Sequence, residues 1–216
     1  MKSSDLGGGA SAIVTPEQVL EFWFGTSPPN DVDAQLEMSK WFTKSEAFDG
    51  EVRVSFGTTI EAALNGELDA WARDSFGWLA LLIVLDQFTR NVFRGRPESF
   101  GGDAAALHWS ELGKARGWDR TLPLMARPFV YLPLEHAEDM VRQDRSVASF
   151  EELLEEANSS GAPEKILETL LSYLDFAQRH RDVIKRFGRF PHRNSILDRE
   201  STEAEREYLA QPGAGF

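Results

Sequence analysis

Helix start and stop signals recur along the whole chain, and the alternation that marks a β-strand is nowhere long enough to compete with them. Thr15 suits an N-cap, Pro16 the first helical position and Gln18 a capping box, and Gly25 can end the helix that follows. Comparable signals predict helices over residues 33–42, 50–65, 77–93, 103–115, 128–143, 149–158, 163–187 and 201–210. The sequence therefore predicts an all-α fold of eight or nine helices.

The size of the chain favours a single domain. With 216 residues, 42% of them hydrophobic, the chain is long enough for one ordinary core. Helices joined by short turns pack as antiparallel pairs, so we expect a layered helical array with a concave side, although no repeat is visible in the sequence. The glycine-rich residues 1–14 are predicted to form a flexible leader, and residues 15–216 the domain.

The acidic net charge excludes several kinds of partner. At −12, the chain lacks the broad basic face that binds nucleic acid or an anionic membrane surface. Its longest apolar run, residues 78–85, falls far short of the ~20 residues that span a bilayer. The absence of cysteine fits a reducing compartment. We therefore expect a soluble cytoplasmic protein whose partner is a small molecule or a protein.

The predicted helix over residues 77–93 changes from apolar to polar halfway along. Its first half is apolar on every side, so neighbouring helices should enclose it. Its second half carries a polar row of candidate binding residues, made of Asp86, Gln87, Arg90, Asn91 and Arg94. The structural alternative is a partly buried ion pair between Asp86 and Arg90.

A second polar segment, residues 129–139, carries three carboxylates within two helical turns. In a continuous helix Glu135 and Asp139 share a face and repel each other unless a cation lies between them. That cation is an arginine or, as the second interpretation, a metal held by Glu135, Asp139 and His136. The other histidines show no helical spacing that completes a metal site, so we expect no metal and no cofactor. Pro133 should kink or interrupt the helix.

The third polar segment is a basic island at the end of the longest predicted helix. Residues 178–199 hold seven arginines and lysines against two aspartates, a net charge of +5 in a chain of −12. Gly188 can end the helix, and Pro191 prevents it from restarting. The helix dipole favours cations here by about 0.3–1 kcal/mol each, which explains some of them but not all. The island is therefore either a neutralised structural hub or an anion-binding site.

A set of motifs spans nearly the whole chain after the leader. It consists of VLEFWFG at residues 19–25, KWF at 40–42, FD at 48–49, LDQFTRNVFRG at 85–95, FVYLPLEHAED at 129–139, and HRDVIKRFGRFPHRNSIL with RESTEAE within 180–205. Together these motifs resemble a bacterial domain-of-unknown-function family, number 924. The resemblance implies an all-α, tetratricopeptide-like fold and supplies no reaction.

The residues most characteristic of that family fall within the three polar segments. They are Asp86, Gln87, Arg90, Asn91, Arg94, His136, Glu138, His180, Arg189, Pro191, His192, Arg193 and Asn194. The chain departs from the family at Asp198, where the family usually has glycine. Because aspartate adopts the left-handed conformation less easily than glycine, the geometry of this turn is in question.

Three functions remain open. The first is binding of an anionic small molecule or acidic peptide, because cations outnumber acids if the three segments converge. Its predicted ligand-binding residues are Asp86, Gln87, Arg90, Asn91, Arg94, His136, His180, Arg189, His192, Arg193 and Asn194. The second is a structural or protein-interaction scaffold. The third is an enzyme in which His136 or His192 acts as general base with Glu135, Glu138 or Asp86, although no known catalytic motif is present.

Overall fold

The computed structural model describes residues 12–41 and 43–215, and every regular element within them is helical. The helices are α1 Pro16–Phe24, α2 Asp31–Trp41, α3 Glu46–Leu64, α4 Ser75–Leu82, α5 Thr89–Val92, α6 Asp103–Ala115, α7 Pro128–Glu135, α8 Met140–Ser159, α9 Glu164–Phe187 and α10 Glu203–Leu209. A π-helical turn at Ile83–Phe88 joins α4 to α5 without a break. Because α4, this turn and α5 form one continuous helix, the ten labelled segments of the described residues make nine helices. The predicted all-α fold is confirmed. Most of the predicted leader, residues 1–11, lies outside the described residues.

The helices separate into two compact units. Unit 1 holds the chain up to Arg94 together with Glu98–Ala126, and unit 2 holds Gly95–Pro97 and the chain from Arg127 onward. Helices α1 to α6 therefore belong to unit 1, and α7 to α10 to unit 2. The single domain over residues 15–216 and its layered, tetratricopeptide-like arrangement stay predictions.

The first helix begins and ends as its local sequence predicts. The hydroxyl of Thr15 accepts a hydrogen bond from the Gln18 amide, and the Gln18 side chain accepts one from the Thr15 amide at 2.9 Å. Gly25 ends α1 with φ of 79°, in the left-handed region that favours glycine. Residues next to one another in sequence are thus sufficient to define α1.

Unit 1 is built around the continuous helix that runs from α4 to α5. Residues 78–85 are at most 1% exposed, because α1, α3 and α6 pack around this helix. The ring of Phe88 lies 5.7 Å from the ring of Trp23 and 4.6 Å from that of Phe56. The prediction that neighbours enclose the first half of this helix on every side is confirmed.

Unit 2 is built on the pair α8 and α9, which pack along each other in antiparallel directions. The ring of Phe150 stacks on that of Tyr173 at 5.9 Å, and Asp144 lies 3.2 Å from Arg181. Helix α7 packs against both. Gly188, with φ of 71°, ends α9 as predicted.

The continuous helix predicted over residues 128–143 is wrong. Helix α7 ends at Glu135 and α8 begins at Met140. Asp139 is the N-cap of α8 and accepts a hydrogen bond from the Arg142 amide at 3.0 Å. Gln143 donates to the carbonyl oxygen of Glu135 at 2.6 Å, which satisfies a group left open where α7 ends. Glu135 and Asp139 therefore do not share a helix face, and the predicted repulsion between them does not arise.

Candidate functional site

In unit 1, the predicted polar row is present and internally bonded. Asp86 is 1% exposed, accepts a hydrogen bond from Gln87 at 2.6 Å and lies 3.0 Å from the guanidinium of Arg90. A second nitrogen of Arg90 lies 2.9 Å from Asp103. The ion pair between Asp86 and Arg90, which the sequence offered as the structural alternative, is therefore formed.

Asp49 holds the other end of this row and was not among the predicted residues. Its carboxylate accepts two hydrogen bonds from Arg94, at 2.8 and 3.0 Å, and one from Asn91 at 2.8 Å. Burial alone would raise the pKa of Asp49, but the hydrogen bonds from Arg94 and Asn91 outweigh it and lower the pKa. Asp49 lies on α3, more than 40 residues before its partners, so no helical spacing could reveal the contact.

In unit 2, α7 and α9 bring a buried carboxylate to a buried imidazole. Nδ1 of His180 lies 3.0 Å from Glu135 and 2.8 Å from the carbonyl oxygen of Phe176. A carbonyl only accepts hydrogen bonds, so Nδ1 carries the hydrogen. Burial, reinforced by His136, lowers the pKa of His180 to about 3. The neutral ring therefore donates its Nδ1 hydrogen to the Phe176 carbonyl oxygen, and an oxygen of Glu135 lies beside the same nitrogen. Burial and the Glu135 carboxylate also raise the pKa of Tyr173.

The ring of Phe190 is the centre of a cluster that we name the histidine corner, made of His136, His180, Phe190, His192 and Arg193. The rings of His180 and His192 lie 5.5 and 5.6 Å from that of Phe190, and the guanidinium carbon of Arg193 lies 4.6 Å from its centroid. Arg193 donates to the carbonyl oxygen of His136 at 3.0 Å, and the rings of His136 and His180 are 6.3 Å apart. The structure thus brings together three of the predicted histidines and one predicted arginine.

His192 lies in a positive field within this corner. Burial is the largest cause that lowers the pKa of His192 to about 4; Arg193, His136 and Arg199 act in the same direction, and Glu138 opposes them. As a residue His192 is nevertheless partly exposed, as is His136, although Nδ1 of His192 is buried. A neutral, partly exposed histidine therefore lies near two arginines, Arg193 and Arg199.

Two bidentate ion pairs hold the segment that follows α9. Glu138 receives hydrogen bonds from Arg199 at 2.7 and 2.9 Å and from the Phe190 amide at 2.8 Å. Burial would raise the pKa of Glu138, but these bonds outweigh it and lower the pKa. Arg189 donates to both oxygens of Glu205, at 2.7 and 2.8 Å. The charges of Arg189 and Arg199 are therefore neutralised by the carboxylates of Glu205 and Glu138.

Glu205 is the residue that the sequence interpretation missed in this segment. It is 2% exposed, and hydrogen bonds from Arg189 and Thr202 lower its pKa to about 2. Asn194, a predicted ligand-binding residue, lies 3.4 Å from the same carboxylate and 3.0 Å from the Ser201 hydroxyl. The capping box of Thr202 and Glu205 was the sequence signal that could have identified this acid.

Asp198 lies in the turn between these ion pairs and adopts a φ of 53°. This is the left-handed region, so the turn requires the conformation that glycine takes most easily. The sequence singled out this position for that reason, and the structure shows that the turn keeps its left-handed geometry with aspartate in place.

Two general properties of the described residues limit the kinds of site available. No three His, Asp or Glu side chains among them are grouped so that they could hold a metal ion. Over the same ranges, no helix combines the length and the apolar character that crossing a membrane requires.

Comparisons with known proteins place the chain in a family. Residues 19–213 match the model of the family described as "Bacterial protein of unknown function (DUF924)". The solved structure of ATU0120, a protein of unknown function from Agrobacterium tumefaciens, is 36% identical to the chain and covers 90% of it and 96% of its own length, with a TM-score of 0.71. No curated protein matches the chain. The match of the family model spans the polar residues of both units, and the chain belongs to the bacterial family of unknown function DUF924.

Proposed function

We propose that unit 2 binds the anionic group of a small molecule or an acidic peptide at His136, His192 and Arg193. The observation that carries this proposal is the positive field at the ring of His192, a partly exposed residue. An anion that reaches this ring would meet the guanidinium of Arg193, which is suited to paired hydrogen bonds with carboxylate or phosphate oxygens. Protonation of His192 would then supply a further charged donor.

The neighbouring ion pairs support this site without contacting the ligand in our proposal. Arg189 and Asn194 are bonded to Glu205, and Nδ1 of His180 faces Glu135 and the Phe176 carbonyl oxygen. We therefore assign these three predicted binding residues to the support of the segment that carries His192 and Arg193. Because ion pairs with Glu138 and Glu205 already hold this segment, an anion that binds would lose little affinity to the entropy cost of ordering it.

The five candidates of unit 1 are not part of the proposed site. Asp86, Gln87 and Arg90 are bonded to one another, and Asn91 and Arg94 are bonded to Asp49. These contacts favour the scaffold alternative for unit 1, in which the polar row holds helices together.

A general acid–base enzyme fits the geometry less well than a binding protein does. A general base works best when its pKa lies near the operating pH, whereas the pKa of His192, one of the two predicted bases, is about 4. Glu138, a predicted orienting carboxylate, is bonded to Arg199 and to the Phe190 amide. We therefore propose binding, and we propose the reducing cytoplasm as the location that suits a chain without cysteine.

The Arg193→Gln variant is expected to bind anions at least about tenfold more weakly, because a charged hydrogen bond contributes about 1.5–3 kcal/mol. Arg186→Gln is the matched control. Like Arg193, Arg186 lies over a phenylalanine ring: its guanidinium carbon is 4.7 Å from the Phe187 centroid, and that of Arg193 is 4.6 Å from the Phe190 centroid. Unlike Arg193, Arg186 is exposed and lies outside the histidine corner. Isothermal titration with inorganic phosphate, sulfate and a glutamate-rich peptide measures the affinities.

Thermal unfolding without ligand shows whether each variant is folded at the temperature of the titration. The proposal is contradicted if none of the three probes binds the wild type beyond the effect of sodium chloride at equal ionic strength. Equal losses of affinity in the two variants would also contradict it, because they would indicate a general effect of charge.

A further inference from the structure

The charges of α8 and α9 are separated along the length of this antiparallel pair. The stacked rings of Phe150 and Tyr173 mark the level at which the charge changes sign. On one side, which we name the acidic end, residues 151–172 hold six glutamates against one lysine, a net charge of −5. On the other side, the basic end, residues 140–150 and 173–187 hold six arginines and lysines against three aspartates, a net charge of +3.

The helix dipole accounts for this separation in α9, where Glu164 lies in the first turn and Lys185 and Arg186 in the last, but not in α8. In α8 the arginines lie in the first half and the glutamates in the second, which opposes the helix dipole. Glu151 and Glu155 lie four residues apart, a spacing at which like charges destabilise a helix. The antiparallel packing then places the acidic half of α8 beside the acidic half of α9. Arg127, the N-cap of α7, pairs with Glu156 and offsets one of the six glutamates, so the acidic end stays negative.

Large apolar side chains are exposed on the same two helices. Val141 on α8 is 56% exposed, and Leu171 and Phe176 on α9 are 57% and 41% exposed. The solvent-exposed surface of this helix pair, which we name its outward side, therefore combines apolar groups with two oppositely charged ends, a composition typical of protein interfaces.

We propose that the outward side of α8 and α9 binds a second copy of this chain in a two-fold dimer. Two copies related by a two-fold axis place the basic end of each against the acidic end of the other, so both charged ends are satisfied at once. An acidic peptide would neutralise only the basic end and would leave the acidic end exposed in a chain of −12. Charge complementarity therefore favours a second copy as the occupant.

Analytical ultracentrifugation at low and high salt tests the dimer. We expect a dimer in ~0.05 M sodium chloride and at least about tenfold weaker association in ~0.5 M, because the screening length falls below the separation of most surface charges. A wild type that is monomeric at low salt overturns the proposal, including the case in which it binds a glutamate-rich peptide instead.

A charge swap distinguishes pairing of the two ends from other modes of association. The Lys185→Glu/Arg186→Glu variant changes the basic end from +3 to −1, and the Glu151→Lys/Glu152→Lys/Glu155→Lys variant changes the acidic end from −5 to +1, all at exposed positions. Each variant alone should associate at least about tenfold more weakly than the wild type. An equimolar mixture should form a heterodimer, because every opposed pair of ends is complementary again.

Circular dichroism of each variant establishes that its helices are intact before the mixture is measured by analytical ultracentrifugation. Failure of two folded variants to form a heterodimer overturns the proposal. So does a wild-type dimer that persists unchanged in both variants. The outcome is independent of anion binding at the histidine corner, which is measured separately by isothermal titration with phosphate.

Discussion

Unit 2 is expected to lose stability steeply as the pH falls from about 6.5 toward 4. In the unfolded chain His180 and His192 accept a proton near pH 6.5. In the folded chain their pKa values are lowered to about 3 and about 4, so both rings stay neutral. Between these limits the unfolded state binds more protons, so the free energy of unfolding falls by up to about 1.4 kcal/mol per histidine for each pH unit.

The carboxylates of unit 2 act in a lower pH range. The pKa values of Glu138 and Glu205 are lowered in the fold, so their contribution is present above the unfolded value and is lost only as the pH falls below about 4.5. A loss of stability between pH 6.5 and pH 4.5 therefore reports on the histidines.

The measurement requires a probe of unit 2 alone. All six tryptophans lie between residues 23 and 118, in unit 1, so their fluorescence does not follow unit 2. Amide hydrogen exchange of α9 gives the free energy of opening at each pH.

The His180→Asn variant should flatten the pH dependence of this free energy, since the asparagine amide can still donate to the Phe176 carbonyl but does not titrate. His108→Gln, at an exposed position of unit 1, is the control. An unchanged slope in His180→Asn would contradict the assignment.

Gly113→Ala is expected to destabilise unit 1 by about 1–3 kcal/mol, the usual cost of overpacking a buried site. A Cβ atom at Gly113 would lie 2.1 Å from Cε2 of the Trp78 indole. Trp78 is fully buried and donates from Nε1 to the Trp109 carbonyl at 2.7 Å, so it cannot move aside without losing that bond. Urea unfolding followed by tryptophan fluorescence reports on this unit.

Gly50→Ala is the matched control for this substitution. Gly50 lies inside α3, and apart from its chain neighbours and the adjacent backbone of α3 no heavy atom lies within 4 Å of the position that its Cβ would take. Alanine in an open helical position stabilises a protein by about 0.4–1 kcal/mol, so this variant should move the urea midpoint upward. If both variants move the midpoint in the same direction, the close packing of Gly113 on Trp78 is contradicted.

The starts and ends of most helices could be predicted because their signals are local. Thr15 with Gln18 begins α1, and Gly188 ends α9, through contacts between residues at most four apart in sequence. The break between α7 and α8 was missed because it depends on groups that fold back on the chain. Gln143 reaches the carbonyl of Glu135 only after α8 has turned away from α7.

The partners of the arginines could not be predicted, because tertiary folding selects them. Arg199 pairs with Glu138 across 61 residues, and Arg94 pairs with Asp49 across 45. The predicted excess of cations counted the acids within the first two polar segments, whereas Asp49 and Glu205 lie outside them and bind Arg94 and Arg189. The proposed site therefore depends on the positive field at His192, not on an excess of arginines.

The protonation of His192 tests this account most directly. Its ring can be followed by NMR between pH 7 and pH 5, with and without sulfate, an anion whose charge does not change over that range. Without sulfate the ring should stay neutral throughout, because its pKa is about 4. With saturating sulfate it should begin to take up a proton above pH 5, because the bound anion favours the charged imidazole. A titration curve that sulfate leaves unchanged, relative to sodium chloride at equal ionic strength, would contradict an anion site at the histidine corner.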